Sequence, residues 1–139
     1  MAMDFKLKSA ELFRTVKAPI ATATVIEAGD LVTLSSGLIV KAGAASTSVA
    51  FAPNAHPANS GTSIDVSIGN DFTLIGQKDA DAAFAEAQYG ALCDVAGTTD
   101  LIIDNDTGST NVLQISISKD AGVIGSKKNI EVKIAKPIF

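Results

Sequence analysis

The chain has 139 residues, a net charge of −4 and a mean hydropathy of +0.30; 47% of its residues are apolar, with six Phe, one Tyr and no Trp. That length fits one domain burying roughly two-thirds of its unfolded surface, with a core expected to rest on Val, Ile, Leu and Ala. A single cysteine excludes an internal disulfide and a thiolate zinc cluster, and no stretch of 18 apolar residues offers a membrane helix.

The charge is unevenly spread. Residues 1–17 carry four basic against two acidic groups, residues 18–118 only Lys41 and Lys78 against eleven acids, and residues 119–139 five lysines against two acids. Two basic ends on an acidic body either dock on acidic surfaces or neutralise the body internally. The first 19 residues lack an uninterrupted apolar run, so they do not read as a signal peptide, and the expectation is a soluble protein used without export.

In chain order, residues 1–19 read as an N-terminal arm and 20–139 as a β-rich domain. Phe5 and Leu7 alternate with Lys6 and Lys8, as in an extended strand, while Leu12, Phe13 and Val16 after Ser9 fit a short helix. Residues 20–27 give a first β-prone run. Gly29 and Asp30 then turn into a hairpin, 31–34 and 38–40, around Ser35, Ser36 and Gly37. Residues 48–52 form a short strand and 54–62 an exposed loop. Ile64, Val66 and Ile68 alternate with polar residues and pair, as a hairpin, with 72–75. Residues 79–90 predict a short helix capped by Asp79 and closed by Gly90, with an irregular crossover as the alternative. Further strands are expected at 91–95, 101–104, 112–118 and 130–135. The pattern is mainly β: a small β-barrel or two-sheet sandwich of about eight to ten short strands.

The chain is poor in chemistry. His56, the one histidine, sits in the 54–62 loop with no rigid neighbour to make a nucleophile–base pair. Cys93 lies in a strand-like run beside Asp94, which suits core filling and not a reactive thiol. Asp100, Asp104 and Asp106 supply hard oxygen ligands without the spacing of a calcium loop, and turn formation explains 104–111 as well. No phosphate-cradling glycine motif and no basic aromatic platform for nucleic acid occurs, and the missing Trp weighs against a sugar platform. No catalytic residue, cofactor or metal is assigned.

The order of parts resembles that of the small head decoration proteins of tailed phages, also called capsid cement proteins. The resemblance is carried by Glu27, Ala28, Gly29, Asp30, Leu31 and Val32, then Leu34 to Gly37, then Ile39 to Ala42. Gly90 with Asp94 and Val95 follows, then the Asp-bearing strand 101–104 and a closing β-strand. It spans roughly residues 20–139, through short, glycine-driven motifs. It implies a non-enzymatic β-barrel subunit of the virion, made in the host cytoplasm, that sits on the capsid surface, often as a trimer, and clamps neighbouring major capsid proteins. The arm is the departure from the shortest members and is given a reaching role: Phe5, Leu7, Leu12 and Phe13 as apolar anchors, Lys6, Lys8 and Arg14 as steering charges. Lys127, Lys128 and Phe139 are weaker contact candidates. Neither nucleic acid nor membrane is an expected partner. The rivals are a tail component or carbohydrate-binding β-module, and then a small hydrolase using His56.

Overall fold

The computed structural model describes residues 3–8, 13–58 and 61–139. Eleven strands are present among them: β1 (Phe5–Leu7), β2 (Thr15–Pro19), β3 (Leu31–Ser35), β4 (Leu38–Lys41), β5 (Ala50–Phe51), β6 (Ser63–Ser67), β7 (Leu74–Gly76), β8 (Leu92–Ala96), β9 (Ile102–Asp104), β10 (Leu113–Ile115) and β11 (Glu131–Ile134). The protein is mainly β and sandwich-like. A six-stranded antiparallel sheet runs β1-β7-β11-β10-β8-β9, and two smaller sheets, β4-β3-β5 and β2-β6, lie apart from it. Among the described residues no sheet closes into a barrel. β5 and β6 meet through a side chain, the Phe51 N–H donating to Ser67 Oγ at 2.8 Å, and not through a ladder.

β3 and β5 separate two cores because successive strand residues point to opposite faces. Leu31 and Phe51 join the large core under the six-stranded sheet, with Phe5, Leu74, Phe84, Val95, Leu113 and Val132. Val32, Ala50 and Ala52 point the other way, onto Ile20, Ile26, Ile39, Ile64 and Val66. Burial on both faces needs consecutive apolar residues, which Leu31 and Val32 provide before the strand runs out to the exposed Leu34. Its turn is also right: Ser36 and Gly37 both hold positive φ, 50° and 81°, so Ser35 faces Leu38 across a two-residue loop whose twist suits the strands.

Several expectations are corrected. Residues 3–8 and 13–19 are not an arm set against a separate domain. Phe5, Lys6 and Leu7 pair with Gly76, Ile75 and Leu74, β2 pairs along its length with β6, and Phe5 is fully buried. Residues 64–75 are not a hairpin: β6 pairs with β2, whereas β7 pairs with β1 and β11, so the chain changes sheets between them. Residues 20–27 are not a strand. Ile20 and Ile26 make single bridges to Ile39 and His56, and a turn at Ala23 (φ 61°) interrupts them. Residues 79–90 hold only a short 3₁₀ turn, Glu86–Gln88. The N–H groups that a helix would use internally go elsewhere: Ala80 to Lys127 O, Asp81 to Ile103 O, Ala82 to Asn105 Oδ1 and Phe84 to Ser126 O. Tertiary partners outcompete a three-turn alanine-rich helix, which is marginal alone. The core is also more aromatic than expected: Phe5, Phe72 and Phe84 are fully buried, and Phe13 meets Phe72 edge-on at 5.1 Å.

Candidate functional site

The polar interior is built for support. Asp4, almost fully buried, accepts the Leu101 N–H at 3.1 Å and holds Lys78 at 2.9 Å and Lys41 at 3.5 Å. Lys41 also reaches Asp30 at 3.5 Å and donates to Thr99 O, and Lys78 reaches Asp100 at 3.0 Å. The two lysines of the acidic middle are thus both spent on bolting β1 to the turn before β3 and to the 97–101 loop. Burial raises the Asp30 carboxyl above its ordinary range, against the Glu27 N–H and Lys41, which lower it. Gly29 is required at this junction: at φ 93°, a Cβ there would lie 2.4 Å from the Phe5 carbonyl oxygen.

Asp94 organises the 105–111 loop. One oxygen, Oδ1, accepts the N–H groups of Ser109, Thr110 and Asn111 at 3.0, 2.9 and 2.8 Å. Burial alone would raise its pKa, but these donors hold it below the ordinary value. Cys93, fully buried next door, is pushed up to about 12 by burial, with Asp94 and Asp104 adding to it. It is a core thiol, as its sequence surroundings indicate. Asp100 does not join Asp104 and Asp106. Asp81 does, their carboxylate oxygens lying within 4.8 Å of one another. A shared hydrogen bond and repulsion from Asp106 raise the Asp81 pKa, and burial followed by Asp106 raises that of Asp104.

His56 is buried, not exposed. Its backbone pairs with Ile26, Nδ1 lies 3.3 Å from Thr24 O, and Nε2 has no hydrogen-bond partner among the described residues. The loop reading missed this because the pairing partner is thirty residues upstream, in a segment with no strand of its own.

The contact residues expected in 5–14 are divided by the fold. Phe5 is unavailable to any partner, Leu7 and Phe13 are part-buried against the same core, and Leu12 lies outside the described residues. Lys8 binds Glu131 at 3.0 Å, while Lys6 and Arg14 are exposed. Lys128 pairs with Asp79 at 2.9 Å, Lys127 lies near Asp81, and Phe139 is 74% exposed.

No family model, curated protein or solved structure matches the chain.

Among the described residues, bare apolar area lies in at least two places. One is a trough of about 280 Å³ between β2 and β4, lined by Val16, Ala18, Leu34, Ile138 and Phe139. The other is the β10–β11 connection, residues 116–130, where Ile117 is 84%, Val123 70% and Ile124 61% exposed. Both escaped sequence reading, except for Phe139. Ile117 sits in an alternating strand pattern that predicts burial, but β10 stops at Ile115 and leaves it outside.

Proposed function

We propose that the chain is a structural virion protein that binds the outside of a phage capsid and stabilises contacts between major capsid protein subunits. The observation that carries this reading is the pair of bare aliphatic surfaces on a framework whose buried carboxylates are bound internally. Asp4, Asp30 and Asp94 bind backbone N–H groups and, for the first two, lysines, an arrangement that fixes shape. The stretches that resemble the cement proteins supply this framework: Gly29 and Asp30 seat β1, and Asp94 seats the 105–111 loop.

Such a role needs area and not chemistry. A specific interface takes about 800 Å² from each partner, a modest share of the 6809 Å² exposed here. We assign the β2/β4 trough to contacts between copies in a homo-oligomer, a trimer by the resemblance. Several weak contacts per oligomer then add up to long residence through avidity. The test is sedimentation of the purified protein with undecorated heads assembled from the cognate major capsid protein. The protein should pellet with the heads, and protein left in the supernatant while intact heads pellet would end the proposal.

A further inference from the structure

We infer that the outer face of the six-stranded sheet, with the β10–β11 connection at its edge, is the surface that docks a partner protein, and that the partner surface is acidic with protruding apolar side chains. This deepens the docking reading above by naming the face and the chemistry it takes.

Residues directly opposite in neighbouring antiparallel strands share a face. The registers Lys6–Ile75–Glu131 and Leu92–Gln114–Lys133 therefore lie side by side on the outside of the sheet, opposite the buried row of Cys93, Leu113 and Ile134. On this face the 105–111 loop covers Asp94 and Lys8 covers Glu131, while Lys6, Leu92 and Lys133 stay exposed. Leu92 is 48% exposed, Ile117 84%, Val123 70% and Ile124 61%.

The charge around Ile117, away from the β8–β9 edge, has the opposite sign to the molecule. The chain is −4 overall, yet residues 116–130 hold three lysines against Asp120, of which Lys128 pairs with Asp79 and Lys127 lies near Asp81. Glu131 on this face is buried against Lys8 at 3.0 Å, and Asp94 and Asp104, paired across β8 and β9, share the face at its far edge, where Asp94 is held under the 105–111 loop. Lys6, Lys119 and Lys133 have no ion-pair partner among the described residues. An acidic partner is drawn to this face and repelled by the rest of the surface, which fixes orientation as well as encounter rate.

The relief selects a protein over a lipid surface. Two hollows flank the 115–120 stretch: one of about 250 Å³, lined by Thr73, Gln114, Ile117 and Lys133, and one of about 380 Å³, lined by Lys119, Val123 and Lys128. Side chains projecting from a partner fill such hollows; a bilayer surface does not. The protruding residues are aliphatic, without the Trp and Tyr that suit a membrane interface.

The test uses the full chain and two variants: Ile117→Ser with Lys119→Glu and Lys133→Glu on this face, and Leu34→Ser with Phe139→Ser at the trough. All of these positions are surface-exposed, and unchanged melting temperatures confirm intact folds. In head sedimentation the first variant should lose at least about tenfold in affinity, while the trough variant retains binding as a monomer at reduced avidity. Equal binding by the first variant overturns the inference. If the wild type itself fails to pellet, the capsid reading falls, and the face is judged by amide-shift mapping with a soluble peptide bearing Glu and Leu on one side. Shifts at 116–124 and 133 support it. Shifts elsewhere, no shifts, or preferential capture by phosphatidylserine vesicles overturn it.

Discussion

Phe5→Ala separates a built-in strand from a reaching arm. Phe5 is fully buried, is paired with Gly76 and lies in the core with Leu31, Phe51 and Leu74. Removing a buried Phe side chain loses its transfer free energy and leaves a cavity, together about 3–5 kcal/mol. A domain of this size holds on the order of 5–15 kcal/mol, so one substitution removes a large fraction. With a urea m-value of about 2 kcal/mol per molar, the unfolding midpoint should fall by roughly 2 M. Equilibrium unfolding followed by circular dichroism reads this directly, with Lys6→Ala, one residue away and exposed, shifting stability by no more than about 0.5 kcal/mol. Deleting residues 1–17 removes β1, Asp4 and three of the five residues of β2, and should leave the chain unfolded. A fully stable truncation, or a Phe5→Ala midpoint within about 0.5 M of wild type, would refute the account of the N-terminal segment.

Other expectations follow from the same framework. Gly29→Ala places a Cβ against the Phe5 carbonyl at a φ that disfavours side chains, and should cost at least about 2–3 kcal/mol by thermal unfolding. The folded pKa of Asp94 is lowered, so its stabilisation is present above the ordinary value of 3.8 and is lost as pH falls through the folded pKa. Asp94→Asn should therefore be less stable than wild type at neutral pH and converge with it in strong acid. The sign is reversed for Asp104: its raised folded pKa makes the site more favourable when protonated, and that benefit is lost as pH rises from 3.8 through the folded value. Asp104→Asn should gain stability at neutral pH, with the gain vanishing in acid; a loss at neutral pH would contradict the like-charge reading of Asp81, Asp104 and Asp106. Cys93 should react with a thiol reagent only as fast as the protein unfolds, and rapid modification of the native protein would place it wrongly.

The local signals of the sequence were legible where the partner is next in the chain. The hairpin of β3 and β4 follows from two apolar runs around Ser36 and Gly37, and Cys93 is core for the reason its neighbours suggest. Failures came where a distant segment decides. Residues 79–90 carry helical spacing, yet their N–H groups are claimed by 103, 105, 126 and 127. Alternation at 64–68 identified a strand but not its partner β2, fifty residues upstream. The same alternation in Phe5 to Lys8 indicated an extended strand correctly, but a core partner and an external one favour the same residues. Only the position of Gly76 and Leu74 shows which was meant. The acidic middle hid its own order, since nothing in spacing shows that Lys41 and Lys78 converge on Asp4.

The claim that this protein reinforces a shell is tested most directly by heating DNA-filled heads with and without it and recording the temperature at which DNA becomes accessible to a fluorescent dye. Saturation with the wild-type protein should raise that temperature, and the variant carrying Ile117→Ser, Lys119→Glu and Lys133→Glu should not. An unchanged release temperature on heads saturated with bound protein would contradict the account.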